Sequence, residues 1–217
     1  MAVITISREF GSDGDLISEK VAQSLGYSLI NKEIIEKVLV QYGLVAFNKV
    51  YNSEQSIWDR FDTDKTEMVR MLNHTIRAFA KFDNSVIVGR GGFIVLNGFE
   101  NVLNVCIVSP FDRRVSNIMK VKGIQTREEA EALIKQSDNV RKGFLQTYYN
   151  VKHTETDLFS LTIDSGKVPA DVAARWIVEA AELLAHKEID AKVSTVSLEV
   201  DPVLENAAAE VAAALKR

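Results

Sequence analysis

Cysteine, histidine, proline and any excess of basic charge are scarce in this chain. One cysteine in 217 residues, Cys106, excludes an intrachain disulfide. It lies inside the apolar run Val102–Val108, where a small buried hydrophobe of a core strand is expected and no polar neighbour marks a nucleophile. The three histidines, His74, His153 and His186, are scattered without metal-ligand spacing. The three prolines all stand where a helix is expected to start. No stretch is long and apolar enough to span a membrane. Lys and Arg number 26 against 30 Asp and Glu, a net charge of -4, which argues against a general binder of nucleic-acid polymers. A local basic pocket for a small phosphorylated ligand stays open. The chain runs at once into a strand-like segment, so no signal peptide is expected, and the expected location is the cytoplasm.

What is present begins with the first 26 residues. Val3-Ile4-Thr5-Ile6 is a β-branched run that reads as a buried strand. Ser7 to Gly14 is a polar, glycine-punctuated turn. Leu16, Ile17, Val21, Ala22 and Leu25 then recur at helical spacing, and Gly26 stands where a helix would stop. A strand, a Gly-rich turn and a helix together make a ready anion site from backbone N–H groups and the helix dipole. The phosphate-binding motif GxxxxGK[ST] places a lysine after its last glycine. Here that position holds Asp15, an anion. Arg8 could supply the missing cation, because a guanidinium binds phosphate in a bidentate way.

Five strands are expected: Val3–Ser7, Ser28–Ile30, Ser85–Gly89, Val102–Val108 and Phe159–Asp164. Helical segments lie between them, which predicts a parallel sheet covered on both faces, an α/β fold. Helices are expected over Asn31–Tyr42, Thr66–Phe82, Pro110–Lys122, from Thr126 towards Tyr148, and over Pro169–His186. Thr126-Arg127-Glu128-Glu129 has the capping-box pattern. Gly43 to Phe82 forms a helical insertion that carries Trp58, Phe61, Arg60, Arg70 and Arg77. Its arginines read first as a solvated helix face. After residue 187 the character changes. Val193–Val200 is polar and β-prone, and Asp201-Pro202 opens an Ala-rich helix. That tail, residues 188–217, is expected to cap the domain or to support self-association into a homo-oligomer.

Three places could carry chemistry. The first is the turn Ser7–Gly14 with Arg8. The second is Val86-Ile87-Val88-Gly89-Arg90-Gly91-Gly92, where a strand ends in an arginine flanked by glycines. Ligands of open α/β sheets bind beyond the carboxyl ends of strands, so Arg90 is placed to grip a phosphate; the alternative is a turn whose arginine pairs with a helix acid. The third is Asp138 with Arg141, three residues apart on one helix face, with Arg113 and Arg114 upstream. It is either an intrahelical ion pair or part of a lid whose arginine closes over transferring phosphates.

These segments, taken in order, resemble the cytidylate kinase-like family. The resemblance rests on Ile4–Gly14, Ala22–Tyr27, Asn31–Ile35, Val86–Arg90, Pro110–Val115, Ile134–Arg141 and Leu161–Ser165, and covers roughly residues 1–185. It implies a three-layer P-loop sandwich of the nucleoside monophosphate kinase type, with a five-stranded parallel sheet in a domain over 1–187. The insertion at 43–82 would bind the acceptor and 126–150 would be the lid. The implied reaction transfers the ATP γ-phosphoryl group, with Mg²⁺, to a nucleoside monophosphate, CMP or dCMP foremost. Gly11, Ser12, Asp13 and Gly14 would cradle the donor phosphates, Asp164 and Ser165 would lie near the donor base, Arg8 and Arg90 would hold phosphates, and Arg141 with Asp138 would serve the transferring group. No metal ligand of the chain is implied. Two departures stand out: Asp15 where the family has a basic residue, and Gly91 where true cytidylate kinases carry an acid. A catalytically impaired, nucleotide-binding regulatory or scaffold protein is the alternative expectation.

Overall fold

The computed structural model describes residues 2–41, 62–82, 84–151 and 156–215. The polar stretch with Trp58, Arg60 and Phe61, and His153, lie outside the described residues. Five strands, β1 (Val3–Arg8), β2 (Ser28–Ile30), β3 (Ser85–Val88), β4 (Val102–Val108) and β5 (Leu161–Asp164), form one parallel sheet in the order β2-β3-β1-β4-β5. The helices are α1 (Gly14–Leu25), α2 (Lys32–Gln41), α3 (Asp62–Lys81), the single turn α4 (Gly92–Val95), α5 (Phe111–Lys122), α6 (Arg127–Tyr149), α7 (Ala170–His186) and α8 (Pro202–Leu215).

Side chains of a strand alternate between faces, and here the alternation builds two cores. Val3, Ile30 and Ile87 pack with α2, α3 and α8 on one face. Ile4, Ile6, Val86, Val88, Val105 and Ile107 pack with Ile17 and Val21 of α1 and Ala173 and Ile177 of α7 on the other. The result is the expected three-layer sandwich. The buried polar pair Thr5 and Asn104 is satisfied: Thr5 Oγ1 donates to Asn104 Oδ1 at 2.6 Å across the sheet, and Asn104 Nδ2 donates to the Phe93 and Leu158 carbonyls at 3.3 and 3.2 Å. No described helix is long and apolar enough to cross a membrane.

Several details differ from expectation. The last strand begins at Leu161 because Phe159 packs its ring on Phe93, centroids 4.6 Å apart. Leu16 is 46% exposed although Ile17 and Val21 on the same helix are buried. Thr126 makes no side-chain cap; the first turn of α6 is held instead by Arg127, which bridges Asp112 and Glu131. The β-prone run Val193–Val200 forms 3-10 turns, because its backbone is drawn to Asn101. Thr195 N donates to Asn101 Oδ1 at 2.9 Å, and Asn101 Nδ2 donates to Thr195 Oγ1 at 2.7 Å. The tail helix α8 packs on its own chain. Leu204, Ala207 and Ala208 are buried against α2 and α3, and Lys81 pairs with Glu205 at 2.8 Å.

Candidate active site

β1 lies between β3 and β4, so its carboxyl end opens at the point where the chain switches sides of the sheet. The turn after it is tight. Gly11 has φ +86°, and a Cβ there would lie 2.9 Å from the Arg114 carbonyl oxygen. A Cβ on Gly14 would lie 2.4 Å from Arg8 Cβ. Ser12 is fully buried; its hydroxyl donates to the Glu9 carbonyl at 2.8 Å and to that of Ile107 at 3.3 Å. The Ser12 N–H also returns to the Glu9 carbonyl, at 3.2 Å. Ser165, at the end of β5, braces the turn from behind by donating to the Ser12 carbonyl at 2.7 Å. Asp164 shapes its own turn by accepting from Gly166 N at 2.9 Å. Asn117 of α5 donates to the Gly11 carbonyl at 2.9 Å and to Asp13 Oδ2 at 3.1 Å. Asp13, left-handed at φ 59°, makes no side-chain cap to α1, which leaves the first-turn N–H groups of that helix open to an anion at this point.

The charges are arranged differently from the expectation. Arg8 Nε donates to Asp15 Oδ1 at 2.9 Å, so the cation expected to replace the loop lysine is paired with the anion that displaced it. Its guanidinium reaches over Gly89, where a Cβ would meet Nη1 at 2.4 Å. The position after Asp15, which carries a hydroxyl for the metal in GxxxxGK[ST], is the exposed Leu16.

The second place is built from three consecutive left-handed residues: Gly89 (φ 71°), Arg90 (φ 56°) and Gly91 (φ 74°). Such backbone costs energy for a non-glycine residue and persists only where surroundings enforce it. Burial, and then the neighbouring charge of Arg8, lower the Arg90 guanidinium to about 10, while Glu36 and Glu33 of α2 act in the opposite sense. Gly91 is required because the ring of Tyr149 fills the space a side chain would need, 2.9 Å from the position of a Cβ. Tyr149 closes the end of α6 onto α3 by donating to Asn73 Oδ1 at 2.7 Å. Arg77, one helical turn from Asn73 and so on the same face of α3, has a buried Nε without a hydrogen-bond partner.

The third place joins α5, α6 and the first turn. Asp138 and Arg141 form the intrahelical pair at 3.2 Å, but they are not alone. Arg114 of α5, buried, donates to both Asp138 oxygens at 3.2 and 2.9 Å. Arg141 reaches back and donates to the Arg8 carbonyl. Its guanidinium is lowered chiefly by burial. Cys106 lies on β4, where burial pushes its thiol up to about 11, which leaves it inert as a nucleophile at neutral pH. Among the described residues no group of three or more His, Cys, Asp or Glu side chains could hold a metal ion.

The structure therefore brings Arg8, Gly11–Gly14, Arg90, Asp138 and Arg141 to the carboxyl ends of β1 and β3, with Asp164 and Ser165 at the neighbouring end of β5. Sequence reasoning missed Tyr149 and Asn73, and named Arg114 only as an upstream arginine. A glycine in the place of an acid at position 91 was the available signal for an intruding side chain.

A model of the cytidylate kinase-like family matches residues 3–167. Among solved structures, an uncharacterized protein from Eubacterium ventriosum ATCC 27560 superposes with a TM-score of 0.66 at 24% identity, covering 84% of this chain and 99% of that one. Shikimate kinase from Acinetobacter baumannii, in complex with shikimate, gives 0.50 at 11% identity, covering 86% of this chain and 96% of that one. TT1252 from Thermus thermophilus gives 0.50 at 13%, covering 84% of this chain and 97% of that one. At these identities the likeness is one of fold. No curated protein matches the sequence. With a matched segment that spans most of the chain, and a five-stranded parallel sheet whose strand ends carry the family's elements in order, the chain belongs to the cytidylate kinase-like family and has the fold of P-loop kinases.

Proposed function

We propose that this cleft moves the γ-phosphoryl group of ATP to a nucleoside monophosphate, with CMP or dCMP the foremost acceptors. The observation that carries the reading is Arg90: a half-buried cation, held in a left-handed turn at the end of β3 and near the charge of Arg8, at the edge of the donor turn. A guanidinium at a strand end can hold a phosphate through two parallel charge-assisted hydrogen bonds.

The backbone of the first turn suits the donor phosphates. Gly11, Asp13 and Gly14 would present N–H groups to them, while Ser12 and Ser165 shape the turn from within. Asp164 would lie towards the donor base. Arg90 would hold the acceptor phosphate and Arg141 would face the transferring group, with Asp138 fixing its direction. In this reading residues 43–82 are the acceptor-binding insertion, α6 is the lid, and the protein works in the cytoplasm. The turn offers Mg²⁺ no hydroxyl at the position after Asp15, which is the exposed Leu16. Magnesium would arrive as part of the nucleotide complex, held by the phosphates and water. Little covalent work falls to the protein, since positioning and charge stabilisation carry phosphoryl transfer.

One observation favours a second reading, a nucleotide-binding regulatory protein that does not turn over. The Arg8–Asp15 pair leaves the donor turn without a free lysine or arginine of its own. A carboxylate about 4 Å from a phosphate costs roughly 1 kcal/mol in water and about 4 at an effective dielectric of 20. With its side chain 71% exposed, Asp15 belongs near the lower figure, which a lid arginine can offset.

Arg90→Ala separates the two subsites. Calorimetric titration is expected to show that the variant loses CMP binding by a factor of about a hundred, the scale of one buried charged hydrogen-bond partner, and keeps ATP binding. Unchanged CMP binding would remove Arg90 from the acceptor site and the reading with it.

A further inference from the structure

Among the described residues Arg114 is the most deeply buried charged side chain near the cleft, with 7% of its side chain exposed. An arginine so buried is expected to have every donor engaged. Nη1 donates to the Phe10 carbonyl at 3.3 Å and to Asp138 Oδ1 at 3.2 Å, and Nη2 donates to Asp138 Oδ2 at 2.9 Å. Nε makes no hydrogen bond but lies 3.6 Å from Glu9 Oε2. Its own main chain underlies the turn, with Cα 3.2 Å from where a Cβ of Gly11 would be. Both terminal nitrogens are engaged by the protein, so this is not a side chain waiting for a phosphate.

The partner Asp138 is shared. Its Oδ1 also accepts from Arg141 Nη2 at 3.2 Å, and the other terminal nitrogen of Arg141 donates to the Arg8 carbonyl. The bonds close a ring: Phe10 carbonyl, Arg114, Asp138, Arg141, Arg8 carbonyl. Both ends of the ring are in the phosphate turn, two residues apart, and the middle is in α6.

We infer that Arg114 is a positioning residue that locks the phosphate turn to the lid helix and, through Asp138, presets Arg141 at the rim of the cleft. Arg141 then need not be ordered when a nucleotide arrives. Opening the lid must break both the Arg141–Arg8 bond and the Arg114 bridge between Asp138 and the Phe10 carbonyl, so turn and lid loosen together. A lysine at 114 could not replace it, because a single ammonium cannot make the two-pronged contact with Asp138 and still reach the Phe10 carbonyl. The consequence for rate rests on the phosphotransfer reading; the mechanical coupling does not.

The test must separate positioning from simple support of the fold. Arg114→Met alone leaves Asp138 partly unpaired and is expected to lower stability. Arg114→Met with Asp138→Leu replaces the ionic contact by an apolar one of similar volume, a change that is often neutral for stability. Two readouts follow on the full chain: the thermal midpoint, and amide hydrogen exchange over residues 8–14 and 134–145. In the double variant the midpoint is expected to stay within a few degrees of wild type, with exchange about tenfold faster in both segments and unchanged over α1 and α7. If wild type turns over, the double variant should lose about a hundredfold in kcat with KM for ATP within about threefold, because a misplaced charge acts in the transition state. A wild type without turnover would sink the phosphotransfer reading and leave the exchange comparison to decide this one. A double variant of normal stability with wild-type exchange in both segments would overturn the inference.

Discussion

At the scale of single residues, the site is a set of arginines already engaged by the protein's own acceptors. Arg8 has Asp15, Arg114 has Asp138 and stands 3.6 Å from Glu9, and Arg141 has Asp138 and a carbonyl. On the proposed reading a triphosphate would compete with those partners. Asp15→Asn would release Arg8 to the donor phosphates. ATP affinity is expected to rise by up to about fivefold by titration, since a screened, mostly exposed carboxylate is worth about 1 kcal/mol or less. A fall in affinity would mean that Asp15 assists the nucleotide. Arg90 makes a pH prediction. Monophosphate binding should strengthen between about pH 5 and 7 as the phosphate loses its second proton near 6. It should then be level, and weaken as pH approaches about 10, where Arg90 loses its charge. An ordinary exposed arginine would give no such decline below about 12. The arginines were legible in the sequence because each falls just beyond a strand or at helical spacing from an acid. The Asp138–Arg141 pair was readable from its helical spacing, but the Arg114–Asp138 pair was not, because these residues are 24 positions apart and meet only in the folded chain.

At the scale of elements, strand–turn–helix units were readable where apolar periodicity and glycine punctuation agree. β1 and α1 are the clearest case: Val3, Ile4 and Ile6 are fully buried, and Gly26 ends the helix in a left-handed conformation. Local signals failed where a distant partner took over the backbone. Asn101 captures Thr195 and turns a β-prone run into 3-10 geometry, and Arg127 replaces the Thr126 cap. The end of α6 shows the same effect on the site. Tyr149 fills the space over Gly91, which gives a steric reason for the missing acid there. Gly91→Ala is expected to destabilise the protein by about 1–3 kcal/mol in denaturant titration, from the positive φ and the clash together. Adding Tyr149→Ala should leave the backbone part and remove the steric part. Gly91→Ala at wild-type stability would show that Tyr149 is not fixed against this turn.

At the scale of the whole molecule, the sheet divides two cores by the alternation of its side chains, and the cleft opens where β1 is flanked by strands that come later in the chain. That plan was legible because parallel strands buried on both faces leave near-continuous apolar runs separated by helices. The place of the tail was not. Alanine-rich periodicity does not say which surface it covers, and only the packed structure seats Leu204, Ala207 and Ala208 on α2 and α3. The same helices carry Glu33, Glu36 and Asn73, so the tail braces the side of the cleft assigned to the acceptor. On the proposed reading the arrangement is a two-substrate cleft with a preset lid, and its activity is group transfer. The most direct measurement follows the phosphorus resonances of ATP in the presence of Mg²⁺, CMP and the full-length protein. Group transfer predicts loss of the γ-phosphorus signal with matching growth of ADP and of a new diphosphate on the acceptor, dependent on CMP or dCMP. ATP that binds but stays intact with every monophosphate offered would contradict it, and would leave a nucleotide-binding protein whose Arg8–Asp15 pair has closed the donor site to chemistry.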